Sequence, residues 1–161
     1  MHPLTTKLSI IAIAFLAISI NVSSQELTGS QKAKITAEIT TLFEKSIKAG
    51  ERLDISGITE NVSDTLSAGF IDNGLYYQSF AVLMKGFREG IRGLKSQKME
   101  VLDKKITVLS DNAVLLTASG NYSADIEDGR VITGKFAWSF VYSRINSNWK
   151  VIHTHMSNLP R

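Results

Sequence analysis

The chain has 161 residues, no cysteine, and 18 basic against 15 acidic side chains, which give a net charge of +3. This length suits a single domain, and a hydrophobic content of 43% is enough for a packed core. The missing cysteine excludes disulfides, thiolate metal sites and a cysteine nucleophile. The small net charge indicates no particular class of partner.

The first 24 residues are predicted to be a secretory signal peptide. Lys7 supplies a basic start, the uncharged apolar run Leu8–Ile20 follows, and small residues end the segment at 22–24. The run is shorter than the roughly 20 apolar residues that cross a bilayer, so a retained membrane anchor is the less favoured alternative. Cleavage near Ser24–Gln25, or one residue later, would remove one basic and no acidic residue, so the net charge falls from +3 to +2. Residues 25–161 are then expected as one domain, periplasmic or secreted and free of the membrane.

The first half of this domain is predicted to be helical. Ser30 is the expected N-cap of a first helix that ends at Gly50, and Asp54 is the expected cap of a shorter one. Ser79 is predicted to cap a third helix whose apolar face extends to Leu94. The apolar residues that recur at helical spacing in the first two helices are Ile35, Ile39, Leu42, Phe43 and Ile47, then Ile55, Ile58 and Val62.

Strand patterns fill the second half. Residues 70–77 predict a β-hairpin, because Asn73-Gly74 supplies the positive-φ residues of a tight turn. From Met99 onward, turn signals at 111–112, 127–129 and 146–148 separate apolar, β-branched runs, which is typical of an antiparallel meander. Helices followed by a meander indicate an α+β fold with helices on one sheet face.

The last fifty residues carry a more specific pattern. Asp128-Gly129 precedes Phe136-Ala-Trp-Ser-Phe-Val-Tyr142, and the chain closes with Trp149-Lys-Val-Ile-His-Thr-His-Met-Ser157. This resembles the nuclear transport factor 2-like superfamily and, within it, the SnoaL-like group, whose closing strand reads Trp-x-Ile/Val-x-His-x-His-x-Ser. The resemblance implies a cone-shaped roll, in which helices close a strongly bent antiparallel sheet around an internal cavity, and homodimers paired through the outer sheet face. Relatives include cyclases, isomerases, dehydratases and proteins of unknown role, so it implies no particular reaction.

His153 and His155 are candidate catalytic residues. Residues two apart in a strand share a face, so both imidazoles are predicted to lie on the side of Val151 and to look into the cavity. There they could exchange protons near neutral pH. The alternative is that one histidine makes a structural hydrogen bond and the other lies at the rim. No metal site is predicted, because His-x-His needs a third ligand and His2 lies in the signal segment.

One face of the strand at 136–142 is wholly aromatic. Core packing is the favoured explanation for at least two of its four rings, and an apolar wall for a small ligand is the second. The predicted ligand-binding residues are Trp138, Phe140, Tyr76 and Tyr122.

Asp72 in the hairpin is a third catalytic candidate. A carboxylate enclosed by aromatic rings has a raised pKa and can accept a proton, although a turn role in Asp-Asn-Gly is favoured. The basic residues between Lys85 and Lys105 are predicted to form a solvated helix face. No nucleic-acid partner is expected, because no aromatic residues alternate with these charges.

Three functions remain open at this point. The first is an exported domain that binds a small, largely apolar molecule in its cavity, with no assigned reaction. The second is a cofactor-independent acid–base enzyme of the cyclase, isomerase or dehydratase type, which would use a histidine with Asp72 or a tyrosine. The third is a dimeric interaction module without a ligand. No cofactor is predicted, because the sequence has no phosphate-binding loop.

Overall fold

A computed structural model describes residues 26–160, so the predicted signal peptide and its cleavage site lie outside the described residues. No helix in this part of the chain has both the length and the apolarity to cross a membrane. The elements in chain order are α1 (Gly29–Glu51), α2 (Ile55–Thr59), β1 (Phe70–Asp72), β2 (Leu75–Tyr77), α3 (Phe80–Gly90), β3 (Leu94–Ser110), β4 (Ala113–Ile126), β5 (Val131–Ile145) and β6 (Asn148–Pro160).

Helix α1 begins two residues earlier than predicted. Thr28, and not Ser30, is the N-cap, and it forms a reciprocal capping box with Gln31. The arrangement pairs two backbone amides at the helix start. Ser30 has Ala33 three residues later, which offers no side-chain acceptor, so the same box cannot form there.

Helices α2 and α3 carry the predicted caps but are shorter than expected. Asp54 accepts a hydrogen bond from the Gly57 amide, and Ser79 accepts one from the Val82 amide. Helix α2 ends at Thr59, before Val62, which the sequence had placed on it. Helix α3 ends at Gly90, and Leu94 opens β3, because Gly93 turns the chain with a φ of 85°.

The six strands form one sheet in the order β2-β1-β6-β5-β4-β3. The hairpin turns at Asn73-Gly74 with positive φ, as predicted, and β3 to β6 form the predicted antiparallel meander. Strand β1 runs parallel to β6, so the sheet is mixed and not wholly antiparallel. The α+β expectation is confirmed.

One sheet face packs against α1 and is called here the inner face. It carries the aromatic side of β5, which is aligned with the buried side of β4 that includes Val114 and Leu116. Ile35, Ile39 and Phe43 of α1 join these residues in the core. Phe136 and Tyr142 are each 2% exposed, which confirms core packing for two of the four rings of β5.

A β-bulge in β6 changes which residues reach the inner face. His153 is opposite Val141 and Val151 is opposite Tyr142, so Ile152 has no partner on β5. An extra residue in one strand shifts the alternation of side chains beyond it. Val151 therefore shares the inner face with Thr154 and Met156, while His153 and His155 share the opposite, outer face with Val141 and Ser139.

The inner face needs a glycine opposite Phe136. Gly120 is aligned with Phe136 on β5, and a Cβ there would overlap the carbonyl oxygen of Glu100 and come within 2.8 Å of the Phe136 ring. Replacement of Gly120 by alanine is therefore expected to destabilise the domain by about 3 kcal/mol, because neither the β3 backbone nor a buried ring can move away freely. Urea denaturation of the two proteins measures this difference.

Gly90→Ala is the matched control. A Cβ at Gly90 meets no atom within 4 Å, and the residue lies in α3. Alanine is expected to stabilise the protein there by up to about 1 kcal/mol, because it costs less backbone entropy in a helix. Equal effects at the two glycines would contradict the packing described for Gly120.

Candidate functional site

A cavity of about 90 Å³ lies between the inner face of the sheet and the three helices. Its walls come from α1, α2, α3, β1, β5 and β6, and from the segment that follows α2. This segment is held to the sheet by backbone hydrogen bonds, because Val151 donates to Asn61 and accepts from Ser63. The site therefore forms only when helices and sheet are assembled.

Five phenylalanines dominate the walls, and they are Phe43, Phe70, Phe80, Phe87 and Phe140. Phe43 and Phe140 meet in a T-shaped contact with ring centroids 5.8 Å apart, and Phe70 and Phe80 meet at 5.5 Å. Such tilted contacts are favourable for aromatic pairs, so they hold the rings of each pair in place. The hollow between these pairs is largely apolar.

Five neutral polar residues interrupt this apolar lining, and they are Ser46, Thr59, Asn61, Tyr142 and Thr154. Thr154 on β6 is 6% exposed, and its Oγ1 has no hydrogen-bond partner. A buried hydroxyl without a partner costs roughly 1–3 kcal/mol. Tyr142 on β5 also lines the cavity, and burial raises the pKa of its hydroxyl above the ordinary 10.0. Tyr142 is therefore a neutral group that can donate a hydrogen bond throughout the physiological pH range.

The predicted placement of the histidines is wrong. Both imidazoles lie on the outer face, because the bulge at Ile152 reverses the alternation that the sequence alone implied. His153 donates from Nδ1 to the carbonyl of Gly69, 2.8 Å away, which fixes the chain just before β1. His153 therefore makes the structural hydrogen bond that the sequence analysis gave as the alternative to a catalytic role. His155 is exposed.

Asp72 lies on the other side of the sheet from the histidines. It is aligned with Met156 on β6, so its side chain belongs to the inner face, while the neighbouring Ile71 is aligned with His155. Partial burial raises the pKa of its carboxyl above the ordinary 3.8. The predicted pairing of Asp72 with a histidine in one cavity is not formed, since the sheet separates them.

One of the four predicted ligand-binding residues lines the cavity. Phe140 does so, but Trp138 instead stacks on Phe136 with centroids 4.2 Å apart and donates from Nε1 to Asn158. Tyr76 is 65% exposed and lies over Gly69 on the outer side. Tyr122 packs beside Gly134, away from the cavity.

The sequence reasoning missed Thr154 and most of the phenylalanines. Thr154 stands between the two histidines, and strict alternation assigned it to the outer face. Phe70, Phe80 and Phe87 each fitted an ordinary core position, and no sequence signal brings their three elements to one hollow. Placing Thr154 correctly required knowing that Ile152 has no partner on β5, and no pattern in the sequence marks that residue.

Charged groups are nearly absent from the site. Among the cavity-lining residues of the described chain, Lys45 alone is charged, and its Nζ contacts Glu60 at 2.6 Å on the exposed rim. Within residues 26–160, no three His, Asp or Glu side chains converge as metal ligands would. The geometry describes a largely apolar pocket with a few neutral polar side chains in a cone-shaped α+β domain.

The comparison with family models identifies this domain. The chain belongs to the SnoaL-like domain family, whose model matches residues 39–161. None of the curated proteins matches the chain. The match agrees with the resemblance carried by the closing strand.

Solved structures of the nuclear transport factor 2-like superfamily share the fold. A superfamily member from Salmonella enterica has a TM-score of 0.70 and 16% identity, with 81% of this chain and 94% of that chain covered. A type 2 hexachlorocyclohexane dehydrochlorinase (LinA) has a TM-score of 0.69 and 11% identity, with 83% and 93% covered. A protein of unknown function from Pseudomonas putida has a TM-score of 0.62 and 20% identity, with 78% and 87% covered. These identities support the common fold and do not transfer a reaction.

Proposed function

We propose that this domain binds a small, largely apolar molecule in the cavity between its helices and its sheet. The observation that carries the proposal is the hollow lined by five phenylalanines, which the domain's own side chains leave unfilled. Ligand sites are typically concave and mostly apolar, with a few convergent polar groups. A molecule in the hollow would gain the dispersion contacts that the walls now lack.

An acid–base enzyme has weaker support. That hypothesis required a histidine within hydrogen-bond reach of a carboxylate or tyrosine in one closed cavity. His153 and His155 lie on the outer face and Asp72 on the inner face, so no such pair is assembled. The dehydrochlorinase likeness, at 11% identity, supports the fold without adding a reaction for this chain.

The Val62→Phe substitution is expected to abolish binding of a small hydrocarbon. Val62 lines the cavity, and a phenylalanine there would occupy the space that a ligand needs. The probe is 2-methyl-1-butene, titrated in sealed samples and followed by the backbone amide resonances of the domain. Saturable shifts at Phe140 and Val151 are expected in the wild type and not in the variant.

Val82→Phe is the control for this experiment. Val82 is on α3 and 55% exposed, so the same substitution adds the same ring outside the cavity. It should leave the titration unchanged. A wild type without saturable shifts, or a Val62→Phe protein that binds as the wild type does, would rule out ligand binding in this hollow.

We also propose that two copies pair through the outer face. Small residues occupy its centre, including Ala137, Ser139 and Thr117, so a second sheet can approach closely. Large apolar side chains of the same face, Leu159 and Val131, are 68% and 63% exposed. Their burial in an interface would be favourable by about 25 cal/mol per Å² of apolar surface.

Ala137→Arg is expected to convert this dimer to a monomer. The substitution places a long charged side chain at the centre of the outer face, where a symmetric interface would bury it beside its own copy. Size-exclusion chromatography with light scattering measures the mass of each protein. Val82→Arg on exposed α3 should remain dimeric, and a wild type that is monomeric at high concentration would disprove the interface.

We propose, finally, that residues 1–24 direct export and are then removed. The support is the basic, apolar and small-residue order of this segment. Expression of the full chain in a bacterium should yield a periplasmic protein whose intact mass is that of a chain beginning at Gln25 or Glu26. Ile13→Arg should leave the chain uncleaved, because a charge in the apolar run blocks recognition. A wild-type chain of full mass in the membrane fraction would instead support a retained anchor.

A further inference from the structure

The hydroxyl of Thr154 is the one side-chain polar atom of residues 26–160 that is fully buried without a hydrogen-bond partner. It lines the cavity, on the strand that carries Val151 and Met156 as its apolar neighbours on the same face. Valine has the same shape as threonine and would fill this position without a polar group. The Thr154 hydroxyl is therefore an unused hydrogen-bond donor in a residue of the cavity wall.

The surroundings restrict what such a ligand can be. The walls offer no free charge, because Lys45 at the rim is paired with Glu60. The polar side chains of the lining are all neutral, and they are Ser46, Thr59, Asn61, Tyr142 and Thr154. Among the described residues, only the Thr154 hydroxyl is fully buried without a hydrogen-bond partner. A volume of about 90 Å³ is smaller than the hollow of about 150 Å³ that accommodates benzene in an engineered protein.

We propose that the cavity selects a small neutral molecule with one oxygen atom, a ketone, aldehyde or alcohol, whose oxygen accepts a hydrogen bond from Thr154. This inference rests on the proposed function and names the class of ligand. The carbon skeleton contacts the phenylalanines, and the oxygen satisfies the hydroxyl. A charged ligand is excluded, because burial of a charge without a partner is costly.

Two isosteric probes test this class directly. 2-Butanone and 2-methyl-1-butene have the same number of non-hydrogen atoms and differ in whether a carbonyl oxygen or a methylene group is present. In the Thr154→Val variant, the affinity for 2-butanone is expected to fall about tenfold, which is the loss of one buried hydrogen bond. The affinity for 2-methyl-1-butene should stay within about twofold of the wild type, because the shape of the wall is unchanged.

Thr154→Ser is the rescue variant, since it restores the hydroxyl and removes the methyl group. It should keep the wild-type ratio of the two affinities. Tyr142→Phe removes another hydroxyl of the lining and provides an independent test of the polar wall should the Thr154→Val protein fail to fold. In that case, Thr154→Ala takes its place. Thr154 is supported as the donor if Tyr142→Phe keeps the wild-type preference for 2-butanone over 2-methyl-1-butene and Thr154→Ala loses it.

The outcomes separate this inference from the proposed function. If 2-methyl-1-butene does not bind the wild type, the cavity is not a ligand site and both proposals are wrong. If the hydrocarbon binds and Thr154→Val binds 2-butanone as tightly as the wild type, the hydroxyl does not bind the ligand oxygen and this inference alone is overturned. A tenfold change confined to 2-butanone supports it.

Discussion

The chemistry of the cavity depends on one unpaired residue in the closing strand. Side chains alternate along a strand, so the bulge at Ile152 brings Thr154 and Met156 to the inner face and turns both histidines outward. With regular pairing, two imidazoles would enter a space walled by phenylalanine. Polar rings buried without partners would cost free energy there, whereas on the outer face His153 finds the carbonyl of Gly69.

The backbone of β6 next to this bulge also holds the walls of the cavity together. Val151, just before the bulge, exchanges backbone hydrogen bonds with Asn61 and Ser63, so the segment after α2 is held beside β6. This contact encloses the cavity from one side, and α3 encloses it from another with Phe80, Leu83 and Phe87. The hollow is retained because its walls are rigid rings in tilted contact, which cannot collapse into the space without losing those contacts.

Local signals predicted much of the fold. Asp54 and Ser79 accept hydrogen bonds from the amides of the next helical turn, and Asn73-Gly74 adopts the left-handed geometry that asparagine and glycine tolerate. Such interactions depend on a few adjacent residues, so they can be recognised in a sequence. The prediction failed at Ser30, because the competing Thr28 has a reciprocal partner in Gln31. It also failed at Leu94, which was predicted to lie on α3, because Gly93 turns the chain with a positive φ and Leu94 begins β3.

The sequence by itself determined the class of fold and the aromatic face of β5, since both follow from spacing along the chain, and its closing motif carried the resemblance to the family. Only the tertiary structure decided which residues meet in the cavity. Phe43, Phe70, Phe80 and Phe140 come together through the docking of separate helices and strands, which spacing does not encode. The orientation of β6 was likewise decided by its pairing with β5, because an unpaired residue has no distinct sequence mark and reverses every side chain beyond it.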